Sequence, residues 1–154
     1  MDHVSLLANL RSAWAAEDHP HASPASEREI AAFEERYNVR LPSDLRAYFA
    51  TLNGGDLGRE GSMDQEMFTF WRLDQVRSQK ELSEGTGGRS DLFGFADWSM
   101  DAHVFVIQLQ LDPQRPTPVF IDSGKELQEV AASFSDFLAG YLRDDENVLY
   151  GGRR

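Results

Sequence analysis

Cysteine is absent from the 154 residues. That excludes disulfides, thiolate zinc sites, iron–sulfur ligation and a cysteine nucleophile together. Positive charge is scarce as well: 15 Lys and Arg stand against 26 Asp and Glu, a formal net charge of −11. The excess is spread along the whole chain, with no Lys/Arg cluster longer than the terminal Arg153-Arg154. Affinity for phosphates comes mainly from placed basic residues, so DNA or RNA is not expected as a direct ligand. No apolar run approaches the roughly 18 residues needed to cross a bilayer, so no membrane role is expected. An acid at position 2 and the lack of a basic leader argue against a signal peptide. The expectation is a soluble cytoplasmic protein.

Aromatic residues, by contrast, are plentiful: 10 Phe, 4 Tyr and 3 Trp in a chain that is 41% hydrophobic. That is enough for one domain with a real core, since a chain of this size buries on the order of 70% of its unfolded surface. Val4, Leu7, Leu10 and Trp14 fall at near-helical spacing, which predicts a first helix over 3–16. HPHASPAS is a connecting loop. Ser26 with Glu29 forms a capping-box pattern ahead of Ile30, Phe33 and Tyr37, and Asn38 suits a left-handed cap. Pro42 and Ser43 open the next helix, Ser43 as its cap, with Leu45, Tyr48, Phe49 and Leu52 as its apolar stripe. Asn53-Gly54-Gly55 ends that helix. A phosphate loop would precede a helix, whereas here the free groups are carbonyls.

Beyond residue 55 the pattern changes. GGDLGREGSMDQE is glycine- and acid-rich and reads as a mobile loop, and MFTFW (67–71) as a strand. Met63, Met67, Phe68 and Phe70 are expected in core or strand packing, with Trp71 at the core or its rim. A short exposed helix is predicted over 74–82, then a flexible Gly85-Thr86-Gly87-Gly88 loop that lacks the Lys-Ser/Thr of a P-loop. LFGFADW (92–98) is a strand running into a turn at 99–101. HVFVIQLQL (103–111) alternates, with Phe105, Ile107 and Leu109 on one face and Val104, Val106, Gln108 and Gln110 on the other. VFIDSG (119–124) pairs back on it. Ser133 with Asp136 starts a last helix through Phe134, Phe137, Leu138, Tyr141 and Leu142, and residues 143–154 are expected to fray. These pieces make one α+β domain spanning 1–154. Its predicted parts are N-terminal helices, a central antiparallel sheet of about four to six strands and a C-terminal helix packed on the sheet.

The wording of the pieces resembles the SUKH superfamily, which includes the Smi/Knr cell-wall-assembly regulators and bacterial toxin-immunity proteins. The resemblance rests on E-I-x-x-F-E (Glu29 to Glu34), Leu41-Pro42, Tyr48-Phe49 and Asn53-Gly54-Gly55. It continues through Gly94 to Asp97 with Ser99, the V-F-I-D strand at Val119, and A-x-S-F-x-x-F-L (Ala131 to Leu138), covering about 26–142. It implies a protein-binding module, in particular an immunity protein that neutralises a cognate toxin by occlusion. An acidic surface suits a basic toxin domain as partner, because it speeds and orients encounter. The alternative is a regulatory scaffold in a cell-envelope or stress pathway, like the fungal members.

Partner contacts are expected from Asp56, Glu60, Asp64, Glu66, Trp71, Asp97, Trp98 and Asp101, where carboxylates lie beside aromatic anchors. A third reading is a small enzyme using Asp97, Asp101 and His103, with Asp101 and His103 sharing a face as they enter a strand. Asp18, His19 and His21 could touch a metal ion, but no further ligand stands at a recognisable spacing. No cofactor or metal is expected, and the chain is expected to be a monomer or weak homodimer.

Overall fold

A computed structural model describes residues 2–83 and 87–152. Part of the predicted Gly85–Gly88 loop and the terminal Arg153-Arg154 lie outside the described residues. The helices come first: α1 (His3–Ala16), α2 (Glu27–Tyr37) and α3 (Ser43–Thr51). Each begins and ends for a local reason. The Asp2 carboxylate caps α1 through the Ser5 N–H, and Ser26 and Glu29 form the full capping box of α2. Asn38 closes α2 at φ 54°, the left-handed conformation that Asn tolerates. Ser43 does not cap α3: Pro42 occupies the cap position and makes no side-chain bond. In α1 the buried set is Leu6, Leu7, Leu10 and Trp14, and Val4 faces out.

The sheet follows. It comprises β1 (Phe68–Phe70), β2 (Arg77–Ser78), β3 (Leu92–Trp98), β4 (His103–Gln108), β5 (Val119–Asp122) and β6 (Leu127–Ala131). All pairings are antiparallel, in the order β1-β3-β4-β5-β6, and β2 pairs beside β1 on the same edge of β3. The exposed helix predicted over 74–82 is instead a 3-10 turn at 73–75, the short β2, and a four-residue α4 (Gln79–Leu82). Backbone pairing to Phe93 and Gly94 outweighs helical propensity there.

One face of the sheet carries the core. Phe68, Phe70, Phe95 and Phe105 meet Phe134, Phe137 and Tyr141 of α5 (Phe134–Leu142) in edge-on and tilted ring contacts, and Trp14 of α1 meets Phe70. Phe93 is covered by Phe33 and Tyr37 of α2. The expected frayed tail is ordered as α6 (Glu146–Tyr150), capped by Asp145, with Val148, Leu149 and Tyr150 buried. Three apolar side chains in one short turn bury enough surface to hold it. The predicted alternation of β4 holds, with Phe105 and Ile107 on the helix face.

Candidate partner-binding surface

The second face of the sheet is covered only in part, and its geometry is fixed by a row of paired residues. Met63 lies opposite Thr69, Thr69 opposite Asp97, Asp97 opposite Val104, and Val104 opposite Asp122. Directly opposed residues share a face, so this row runs across the side away from the helices. Over it folds the segment after α3. Asn53 turns the chain at φ 58° and does more than end a helix. Its buried amide donates to the Ser23 carbonyl and accepts from the Leu73 N–H, joining three loops. Gly54 follows at φ +76°, where an added Cβ would stand 2.5 Å from the Trp71 carbonyl oxygen. No side chain fits between those two backbones.

Trp71 is the centre of this face. It is fully buried, and its indole N–H donates to the Asp97 carboxylate at 2.7 Å. A Cβ on Gly94 would lie 2.7 Å from its Cζ3, so glycine in β3 makes room for the indole. The Arg59 guanidinium sits 4.4 Å above the ring centroid, a cation–π contact. The 54–66 loop, read from sequence as mobile, is tied down around it. Asp56 accepts from the Ser62 hydroxyl, Ser62 also accepts from the Leu57 N–H, and the Gln75 side chain accepts from the Arg59 N–H.

The sequence-derived contact residues divide sharply. Asp64, Trp71 and Asp97 are buried and engaged internally. Asp64 accepts from the Glu66 and Phe68 N–H groups at 2.8 and 2.9 Å and from the Tyr141 hydroxyl. Tyr141 in turn accepts from the Trp14 indole, so α1, α5 and the 64–68 turn are held in one chain of bonds. Burial, then the Asp64 charge, pushes the Tyr141 hydroxyl far above its ordinary range. Trp98 is half-buried on the helix face, edge-on to Tyr150 and bonded to the Glu66 carbonyl. Asp56, Glu60, Glu66 and Asp101 face solvent.

Asp97, Asp101 and His103 do not converge. His103 lies opposite Trp98 and so points to the helix face, whereas Asp97 points to the other. Nor do Asp101 and His103 share a face. Residues 99–101 all adopt left-handed backbone (φ 54°, 54° and 70°), and the strand begins only at His103. The Ala102 N–H donates to the Ser99 carbonyl at 3.3 Å and closes a tight turn with Met100 and Asp101 at its centre, and the Asp101 N–H donates to the second Asp97 oxygen, also at 3.3 Å. Asp101 and Val104 instead line a cleft of about 330 Å³, with Arg59, Gln79 and Asp122 in its walls. The buried His19 stacks edge-on against Trp14, and no metal-holding group of His, Asp and Glu occurs among the described residues.

Burial raises the Asp97 carboxyl above the usual carboxylate range, with the nearby Asp101 charge adding to it against the Trp71 and Asp101 N–H bonds. The folded state therefore holds this proton more tightly than the unfolded chain. Its stabilising contribution is complete below the unfolded Asp value of about 3.9 and is lost as pH rises through the folded value. In urea titrations between pH 3 and 7, wild type is expected to lose stability relative to Asp97→Asn as pH rises. A pH-independent difference would show that this carboxylate is not desolvated.

The family model described as the SMI1/KNR4 family (SUKH-1) matches residues 24–140. The chain belongs to the SMI1/KNR4 family. The match runs from the loop before α2 to within α5, so it includes the Trp71–Asp97 pair and every exposed carboxylate named above. SMI1/KNR4 membership supports a protein-binding role in general terms and leaves the partner open. No curated protein matches the chain. Among the described residues of this SMI1/KNR4 member, no helix is long and apolar enough to cross a membrane.

Proposed function

We propose that the protein is a cytoplasmic binding module, without catalytic activity, that neutralises a cognate toxin by covering it, as an immunity protein does. The observation carrying this reading is the set of solvent-facing carboxylates, Asp56, Glu60, Glu66 and Asp101, on segments held by the buried Trp71–Asp97 bond and by the bonds to Asp64. Rigid placement limits the ordering entropy lost on docking, and the carboxylates complement a basic toxin domain. Such a partner is steered in by charge and held by contacts at the centre of the patch.

The test is co-expression with the product of a neighbouring large toxin-like gene, followed by pull-down and stopped-flow association. Growth protection and a complex are expected. The association rate should fall by about tenfold or more between 50 and 500 mM salt. A rate indifferent to salt would remove the electrostatic part of the reading. Neither protection nor binding would shift weight to the regulatory-scaffold alternative.

A further inference from the structure

Methionine is ordinarily an interior residue, yet among the described residues the core is built of Leu, Ile, Val, Ala, Phe, Tyr and Trp without it. Met63, Met67 and Met100 all stand at the surface, 36%, 41% and 79% exposed. Expected from sequence to pack in the core or strand, Met63 and Met67 are instead presented. Met63 extends the β1 edge by pairing with Thr69, and Met67 ends the turn that its N–H closes on the Asp64 carbonyl.

The backbone brings two of them together. The Ser99 N–H donates to the Met67 carbonyl at 2.9 Å, which sets the Met67 and Met100 segments side by side. Both residues are held in left-handed backbone, at φ 75° and 54°, which unbranched side chains seldom adopt without external constraint. Met67, bonded through its carbonyl to Ser99, and Met100, the next residue in the 99–102 turn, are two exposed apolar residues at left-handed backbone, and they mark a surface that the fold maintains. Its surroundings are mainly negative: Asp56, Glu60, Glu66 and Asp101 face solvent, while the Arg59 guanidinium lies over Trp71 and that of Arg72 donates to the Asp56 carbonyl.

We propose that Met63, Met67 and Met100 are the apolar anchor of the docking surface, and that its occupant is a cationic amphipathic segment of a protein partner. Aliphatic or aromatic side chains of that segment rest on the methionines, and its Lys and Arg meet Glu66, Asp101, Glu60 and Asp56. This rests on the binding-module reading and names the chemistry of its partner. Unbranched, polarisable side chains adapt to an irregular apolar surface, and the carboxylates exclude acidic partners.

The probe is a synthetic 16-residue amphipathic Lys/Leu helix, titrated into full-length protein labelled with 13C at the methionine methyls. Shifts of the Met63, Met67 and Met100 methyls are expected, with at least tenfold weaker binding by Met67→Ser/Met100→Ser. The Met67→Leu/Met100→Leu variant should restore binding, and Leu111→Ser, at an exposed leucine elsewhere, should leave it unchanged. A Glu/Leu helix of equal hydrophobicity should not shift the methyls. Equal affinity of wild type and the double serine variant, or unshifted methyls at saturation, would overturn the proposal. If the toxin-like protein binds the double serine variant as tightly as wild type, this surface is wrong while the immunity reading stands. If no such protein binds at all, the immunity reading fails and the helix titration still decides the surface.

Discussion

Trp71→Ala is expected to lower the unfolding free energy by about 3–5 kcal/mol, the range for removing a fully buried large aromatic. Three effects act together. The indole leaves a cavity against Gly94 and Leu82, the Arg59 guanidinium loses the ring beneath it, and the Asp97 carboxylate loses its 2.7 Å donor. Trp71→Phe separates these, since it keeps most of the volume and removes the N–H. Its expected cost is about 1–3 kcal/mol, the penalty of a buried acceptor without its partner. Urea denaturation measures both. Amide exchange should also quicken across residues 56–62, because that loop rests on Trp71 through Arg59. A loss under 1 kcal/mol for the alanine variant would mean that the second face is not organised around this indole.

Asp64→Ala should cost about 3 kcal/mol, because one change strips an acceptor from two backbone N–H groups and the Tyr141 hydroxyl. The turn presenting Met67 keeps its backbone bonds but loses the side-chain bonds that brace it, so weakened partner binding is expected with the loss of stability. Tyr141→Phe removes one of these bonds and also the acceptor of the buried Trp14 N–H, and is expected to cost about 2 kcal/mol. A double-mutant cycle on Asp64→Ala and Tyr141→Phe should give a coupling above about 0.5 kcal/mol, since the two groups touch. Strict additivity would show that the hydroxyl and carboxylate do not interact in solution.

Local chemistry made much of this architecture legible in the sequence. The Ser26–Glu29 box, the left-handed Asn38 and the Ser133 cap each depend on residues within four positions, so reading them needed no knowledge of the fold. The β4 alternation was readable for the same reason, as one face is buried against α5. Segment 74–82 was misread because its helical spacing was overridden by pairing to β3, a long-range contact with no local mark. The tail was misread because Val148, Leu149 and Tyr150 look like any apolar triplet until α5 and β6 stand beside them.

The site shows the same division. The sequence by itself determined the α+β class, the family, the acidic character and the two segments, 56–66 and 97–101, where carboxylates collect. The class, the charge and the segments follow from composition and short-range pattern, and the family from the resemblance of motifs in order along the chain. Only the tertiary structure decided that Asp64, Trp71 and Asp97 face inward, that His103 lies across the sheet from Asp97, and that Met63, Met67 and Met100 face out. The physical reason is that a side chain's exposure depends on what folds over it. Here the cover comes from partners 26 residues away for Trp71 and 77 for Asp64.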